Sequence, residues 1–300
     1  MDSSVYRTPD ARFDDLPGFP FAPHYVTTND GLRLHVVDEG AGPTVVCLHG
    51  EPTWAYLYRH MIADLADDHR VVAPDFPGFG RSDKPTDRDA YTLDLHLNAL
   101  ATVLEARDVT DATLVVQDWG GLIGLTYAVR HPDRIARLVV LNTFLPTGEA
   151  DEKSEAFVQW RQFVETHDDL PVRLVVRRGL ADPSRLSDAE AAAYDAPFPT
   201  PESKAGAVAW PLLVPMTPDG PVADAMRDTR RRLANWPKPA FVLFAPDDPI
   251  LGGAHGFFRD LIPTAAAQPE VFIDDAAHFL QEEQGPQIAS HVRAFIERTA

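Results

Sequence analysis

The chain has 300 residues, of which 45% are hydrophobic, and a formal net charge of −18. Such a hydrophobic fraction is enough for a packed core and excludes a disordered chain. The acidic balance argues against a nucleic-acid partner, because phosphate contacts need clustered Lys and Arg, and against an anionic membrane surface. Cys47 is the only cysteine, which excludes an intrachain disulfide and a cysteine-based metal cluster.

The N-terminal region, residues 1–21, is polar and acidic, and it lacks the apolar segment after a basic start that characterises a signal peptide. No stretch of the sequence reaches the roughly 18 apolar residues that a membrane-spanning helix needs. We therefore expect a cytoplasmic protein with no membrane partner, present as a monomer or a weak homo-oligomer.

Strands and helices are predicted to alternate over the first 145 residues. The sequence Asn29-Asp30-Gly31 is a hairpin turn signal, and short continuous apolar runs such as 44–48 indicate strands buried on both faces. The predicted strands span residues 24–28, 32–38, 44–48, 70–73, 112–117 and 135–141, and the predicted helices span residues 56–65, 92–107 and 121–130. This alternation predicts a mostly parallel sheet with helices on both faces.

The regular pattern stops at residue 146 and returns near residue 228. Residues 146–227 are rich in Ala, Pro and Asp, with helical pieces at 155–166 and 188–194, and are too long for an ordinary loop. Strands at 239–245 and 270–273 and a closing amphipathic helix at 286–298 follow. We expect a core formed by residues 1–145 and 228–300, with residues 146–227 inserted as a helical cap over the site.

A sharp turn joins the strand at 112–117 to the helix that follows, and Asp118 occupies its tip. This is the layout of a nucleophile elbow, where a serine is usual, and Gly120 and Gly121 permit close packing of strand and helix. An ionised carboxylate can attack an sp3 carbon directly and form an ester, with no base needed to activate it. An aspartate that only caps the start of a helix is the alternative explanation.

The two partners of such a nucleophile are expected after later strands, in the order nucleophile, acid, histidine. His278 follows the last predicted strand and is the candidate base for the water that attacks the ester. Asp247 and Asp248 follow the strand at 239–245, and either carboxylate could orient the histidine. We prefer Asp248, because its step into Pro-Ile-Leu-Gly fits the turn after the strand, and keep Asp247 as the alternative.

The segment that begins at His49 ends another strand at the same edge of the sheet. A loop at this place supplies one backbone N–H to an oxyanion hole, here that of Glu51, and the residue after the nucleophile, Trp119, supplies the second. The side chain of Glu51 either helps to place the hydrolytic water or only caps the loop.

Three motifs resemble the haloalkane dehalogenases of the α/β-hydrolase superfamily: the segments at 49–59, 116–121 and 275–282. The resemblance runs over nearly the whole chain. It implies an α/β-hydrolase fold, with a mostly parallel eight-stranded sheet flanked by helices and an inserted helical cap. It also implies hydrolysis of a small haloalkane to a primary alcohol, halide and a proton, through an alkyl ester of Asp118 that is hydrolysed by water activated by His278. Water, the haloalkane and the halide are the expected partners, with no cofactor and no metal.

A departing halide needs no proton, but in a dry site it needs hydrogen-bond donors, and indole N–H groups only donate. Trp119 is the first candidate donor. The resemblance implies that the branch of the family with Glu at position 51 uses a cap tryptophan as the second, and the Phe157-x-x-Trp160 pattern assigns that role to Trp160, with Trp210 as a competitor. The resemblance also implies a set of pocket-lining residues: Leu122, Phe157, Trp210, Pro211, Val214, Leu251 and Phe279.

Other functions need features that this sequence offers less well. An epoxide hydrolase shares the Asp-Trp-Gly turn but needs an acid for the epoxide oxygen, for which Tyr194 is the candidate in the cap. A fluoroacetate-type dehalogenase typically carries Arg where Trp119 stands. A non-catalytic receptor on this scaffold usually lacks one of the three catalytic residues, and all three candidates are present.

Overall fold

The computed structural model describes residues 4–167 and 169–300. Eight strands form the central sheet, in the order β1-β2-β4-β3-β5-β6-β7-β8. Their bounds are β1 His24–Thr27, β2 Arg33–Glu39, β3 Thr44–Leu48, β4 Arg70–Pro74, β5 Ala112–Val116, β6 Ile135–Val140, β7 Ala240–Phe244 and β8 Val271–Phe272. The mostly parallel eight-stranded sheet expected from the sequence is therefore confirmed.

Strand burial explains why this sheet forms. Every residue of β5 and β7 is buried, because these central strands have helices on both faces, and their sequences are continuous apolar runs. The hairpin strands β1 and β2 pair antiparallel at one edge, and β2 pairs antiparallel with β4. The remaining neighbours are parallel, so the carboxyl ends of β3, β5, β7 and β8 meet at one edge of the sheet.

Ten α-helices are present in the described ranges. Those that follow a core strand are α1 Arg59–Leu65, α2 Leu93–Ala106, α3 Trp119–Arg130, α9 His255–Leu261 and α10 Leu280–Arg298. Those between β6 and β7 are α4 Glu155–Glu165, α5 Val172–Arg178, α6 Asp188–Asp195, α7 Ala205–Leu213 and α8 Ala223–Leu233. None of these described helices has the length and apolarity needed to cross a membrane.

Several predicted boundaries differ from the structure. The predicted helix at 56–65 begins as a 3-10 turn, Ala55–Tyr58, and becomes α-helical only at α1. The final helix begins at Leu280 rather than at Pro286. It is kinked at Gln284, whose φ and ψ angles are non-helical, just ahead of the proline, which cannot donate a backbone hydrogen bond, so the predicted range covers only the part after the kink.

The boundary predicted at residue 227 falls inside α8, and α8 packs on α3 of the core. The hydroxyl oxygens of Thr126 on α3 and Thr229 on α8 lie 2.9 Å apart in that contact. By its packing on α3, α8 therefore belongs with the core.

Candidate active site

The turn between β5 and α3 places Asp118 at its tip with a φ of 49° and a ψ of −126°. A positive φ is strained for a residue with a Cβ, and such strain clusters at functional sites. Glycine is required two and three residues later: a Cβ on Gly120 would lie 2.2 Å from the Leu48 carbonyl oxygen, and one on Gly121 would lie 2.0 Å from Thr143 Oγ1. Close packing of α3 on the strands therefore forces the sharp turn.

The carboxylate of Asp118 is held by backbone donors. The Glu51 N–H donates to its Oδ1 atom at 2.7 Å, and the Trp119 N–H also favours its ionised form. Burial raises the pKa of Asp118, while His278 and the two N–H groups act in the opposite direction and favour the ionised form. A Cβ on Gly50 would lie 2.3 Å from Oδ1, so glycine is also needed before Glu51.

His278 lies between two carboxylates. Its Nδ1 atom is 2.9 Å from Asp248 Oδ2, and its Nε2 atom is 3.9 Å from Asp118 Oδ2. Burial by itself lowers the pKa of His278, but Asp248 and Asp118 outweigh it, so the pKa lies above its ordinary value. The hydrogen bond to Asp248 fixes the proton on Nδ1 and leaves Nε2 as the unprotonated nitrogen, which can accept a proton on the side of Asp118.

Asp248 is the carboxylate that reaches His278, and Asp247 is exposed to solvent. The buried Asp248 also accepts hydrogen bonds from Asn142 Nδ2 at 2.9 Å and from the Ile250 N–H at 2.9 Å. Burial opposes its ionisation, but His278 and these donors lower the pKa of Asp248 to about 2. Asp248 is therefore ionised at neutral pH beside the histidine.

A cavity of about 800 Å³ lies above this group, between the carboxyl edge of the sheet and helices α4 and α5. Asp118, His278 and both candidate halide donors, Trp119 and Trp160, line it. The remaining walls are mostly apolar. They include six of the predicted pocket residues, Leu122, Phe157, Pro211, Val214, Leu251 and Phe279, together with Phe144, Phe163, Val175 and Phe257, which sequence reasoning missed.

Comparison with known proteins identifies the family. Residues 43–175 match the family model of the α/β hydrolase fold. The haloalkane dehalogenase of Psychrobacter cryohalolentis is 45% identical over 300 residues, covering 97% of this chain and 98% of that protein. Haloalkane dehalogenase 1 of Mycobacterium tuberculosis is 48% identical, covering 98% and 99%. The chain belongs to the haloalkane dehalogenases. Its predicted family, fold and enzyme class are thereby confirmed.

A solved structure supports the same relationship. The haloalkane dehalogenase DpaA from Paraglaciecola agarilytica, described as tetrameric, matches this chain with a TM-score of 0.89 and 38% identity. The match covers 96% of this chain and 97% of that one. The relationship therefore includes the segment between β6 and β7 as well as the sheet.

One predicted pocket residue of the dehalogenase lies elsewhere. Trp210 on α7 is fully buried and is not among the residues that line the cavity, so its assignment to the pocket is wrong. Its indole N–H donates to His96 Nε2 at 2.6 Å, and its ring stacks on that of Trp119 with centroids 5.2 Å apart. Burial, with a smaller contribution from His49, lowers the pKa of His96 to about 3, so the histidine remains a neutral acceptor.

The two remaining candidate donors have free indole N–H groups. Among the described residues, no hydrogen-bond acceptor pairs with Nε1 of Trp119 or of Trp160. Trp119 is buried at the cavity wall, and Trp160 is half-buried on α4 beside the ring of Phe163. Because Trp210 already donates to His96, the competition for the second donor favours Trp160.

Glu51 is buried in the cavity wall with an Oε1 atom that has no hydrogen-bond partner in the described ranges. Burial, and secondarily the charge of Asp118, raise the pKa of Glu51 well above its ordinary value. Burial therefore favours the protonated form of this carboxyl group more than in an exposed glutamate, and only the protonated form can donate a hydrogen bond.

Tyr194 is not placed to act as an acid in the cavity. It is fully buried, its hydroxyl donates to Glu282 Oε2, and it is absent from the cavity lining. Arg59 holds the same carboxylate through both terminal nitrogens of its guanidinium group. Tyr194, the candidate acid for epoxide hydrolysis, is therefore hydrogen-bonded within a buried cluster of charged side chains and does not reach the cavity.

Sequence reasoning missed two residues that hold the base and its partner. Gln117 Nε2 donates to the backbone oxygen of His278 at 3.1 Å and lies 3.3 Å from its Nε2 atom. Asn142, at the end of β6, donates to Asp248 as described above. Both are buried polar side chains at the ends of apolar strands, a signal that could have identified them.

Proposed function

We propose that this dehalogenase converts a small haloalkane and water into a primary alcohol, halide and a proton through a covalent alkyl ester of Asp118. The observation that carries the proposal is the geometry of the Asp118 carboxylate. Its Oδ1 atom accepts the Glu51 N–H at 2.7 Å, while Oδ2 faces the cavity side of His278 at 3.9 Å. Oδ2 is therefore the oxygen available for attack.

In the first step Oδ2 attacks the carbon that bears the halogen. A carbon–oxygen bond forms, the carbon–halogen bond breaks, and its electron pair leaves with the halide. The indole N–H groups of Trp119 and Trp160 are proposed to receive the anion, since an unpaired anion in an apolar cavity is costly. No proton moves in this step.

In the second step His278 removes a proton from a water molecule through Nε2, and the water oxygen attacks the ester carbonyl carbon. The N–H groups of Glu51 and Trp119 are proposed to hold the resulting oxyanion. Losing one such donor typically costs about 3 kcal/mol of transition-state stabilisation. Collapse breaks the ester bond, and the alkoxide takes the proton from His278. Asp118 retains one oxygen from water and releases the second proton of that water to solvent, which regenerates the carboxylate.

The Nε2–Oδ2 distance of 3.9 Å supports a separate water molecule in this step, because it exceeds direct hydrogen-bond length. Asp248 is proposed to keep the histidine in the required tautomer and to stabilise its protonated form. The side chain of Glu51 is proposed to help place the attacking water. These roles use side chains and water only.

The helices that follow β6 are proposed to serve as the cap, from residue 146 to the start of α8. Their apolar side chains line the cavity and keep water away from the halide, which strengthens its bonds to the indoles. We further propose that the enzyme works in the cytoplasm as a monomer or weak homo-oligomer, with no nucleic-acid or membrane partner.

A substrate comparison tests this function. The enzyme is incubated with 1,2-dibromoethane and, separately, with a terminal epoxide, and bromide and diol are measured. We expect bromide release that Asp118→Ala abolishes, and no diol above the rate of that variant. Diol formation without bromide release would instead identify an epoxide hydrolase.

A further inference from the structure

We propose that Glu283 is a positioning residue that couples the cap to the catalytic base. Its carboxylate accepts three backbone hydrogen bonds, two from the cap and one from the loop that carries His278. The N–H of Ala181 donates to Oε2 at 3.0 Å, and the N–H of Asp182 donates to Oε1 at 2.9 Å. The N–H of Ala277 donates to the same Oε2 atom at 2.9 Å.

Two further contacts join the same segments. Arg185 Nη1 donates to the Asp275 backbone oxygen at 3.1 Å, and the Phe279 N–H donates to the Gly179 oxygen at 3.4 Å. The cap therefore contacts the base loop on both sides of His278. Asp275 has a φ of 53°, so this loop is held in a conformation that an aspartate rarely adopts unaided.

The backbone at His278 depends on these contacts. The preceding residue, Ala277, is held by Glu283, and the backbone oxygen of His278 is held by Gln117 at 3.1 Å. Asp248 fixes the ring itself. Removing the Glu283 contact leaves the ring paired with Asp248 but frees the main chain that sets the direction of Nε2.

Within residues 4–167 and 169–300, the nucleophile has no corresponding hydrogen bond to the cap. The hydrogen-bond partners of Asp118 are all in the core: Glu51, Gly121, Asn142 and Thr143. The inference rests on the proposed two-step function, in which only ester hydrolysis uses the base. Loss of Glu283 should therefore slow the second step and spare the first.

Glu283→Gln is the test variant, because it keeps the side-chain size but replaces one accepting oxygen with an amide that cannot accept an N–H. Single-turnover reactions with 1,2-dibromoethane measure bromide release, alcohol release and the mass of the Asp118 peptide. We expect ester hydrolysis to slow by about tenfold and alkylation to change by less than about twofold, because a small displacement of a base is costly. The alkylated Asp118 peptide should accumulate.

Asp195→Asn is the matched control. Asp195 accepts the Arg173 N–H at 3.0 Å and pairs with its guanidinium group, so the variant breaks a cap contact that does not reach the base loop. Both steps should keep their wild-type rates. Equal slowing of both steps in Glu283→Gln, or unchanged ester hydrolysis, would overturn the inference.

Arg185→Gln removes the second link without touching the first. It should slow ester hydrolysis selectively, by about threefold. If Glu283→Gln unfolds below the assay temperature, Arg185→Gln tests the coupling between cap and base loop in its place. Unchanged hydrolysis in that variant would then overturn the inference. His278→Phe tests the proposed function separately: if this variant traps no adduct on Asp118, the two-step route itself is wrong, whatever Glu283 does.

Discussion

The core half and the cap half of the site are built by different means. Asp118, Asp248 and His278 follow β5, β7 and β8, whose carboxyl ends meet at one edge of the sheet. Trp160 lies on α4, whose position depends on packing against its neighbours. The core half is thus fixed by strand order and local turns, whereas the cap half is fixed by contacts between helices. We expect substitutions in the core half to stop a chemical step and substitutions of cap residues that line the cavity, such as Trp160, to change binding.

The largest expected effect is that of His278→Phe. Alkylation should proceed and release about one halide per enzyme, while steady-state turnover should fall by about 10⁴-fold, because only the second step needs the base. Mass spectrometry should find the alkyl group on Asp118. His131→Phe, at an exposed histidine, is the control and should turn over normally. Continued turnover by His278→Phe would contradict the claim that ester hydrolysis needs this base.

Asp248→Asn should lower turnover by about 10³-fold, since the tautomer and orientation of His278 are lost. It should also move the acid limb of the pH–rate profile. The base acts as neutral His278, so the rate rises as pH passes its pKa. Asp248 contributes to raising that pKa, and its removal should therefore shift the rise to lower pH. Asp247→Asn is the matched control, and an equal shift in that variant would contradict the assignment.

Trp160→Phe tests the cap half. It keeps an aromatic ring in the cavity wall but removes one proposed halide donor, so halide affinity should fall by about tenfold, the cost of a hydrogen bond to a charged group. Product inhibition by bromide measures this affinity. Wild-type inhibition in Trp160→Phe would mean that the second donor lies elsewhere.

Trp210→Phe should have the smallest effect on the reaction and a measurable one on folding. It leaves the buried Nε2 of His96 without its donor, which should lower the free energy of unfolding by about 2 kcal/mol. Urea denaturation measures this loss, and halide affinity should stay within about twofold of wild type. A loss of halide affinity like that of Trp160→Phe would show that the N–H of Trp210 reaches the anion.

Trp160 and Trp210 also show what the sequence alone could not predict. Asp118 could be found from a strand, a turn and two glycines, all within a few residues of each other. The partner of Trp210 is His96, which lies 114 positions away on another helix. No local pattern reveals that pairing, so the sequence could name both indoles but could not tell which N–H was already occupied.

The Glu283 contacts illustrate the same limit. In the sequence, Glu283 is an acidic residue near the start of a long helix, where acidic residues are common because they interact favourably with the helix dipole. That it binds Ala181 and Asp182 of the cap depends on how the cap folds back on the core. The mostly parallel sheet, by contrast, could be predicted from the sequence, because short apolar runs alternate with helical segments along the first 145 residues.

The most direct test of the central claim follows the oxygen atoms of Asp118. The wild-type enzyme reacts with 1,2-dibromoethane in oxygen-18 water, once for a single turnover and once for many turnovers. Mass spectrometry then measures the label in the alcohol of the single turnover and in the Asp118 peptide after many turnovers. A covalent ester predicts that label enters this carboxylate, and that the alcohol of the first turnover carries unlabelled oxygen. An unlabelled Asp118 beside labelled first-turnover alcohol would mean that water attacks the haloalkane directly, and the covalent route would be wrong.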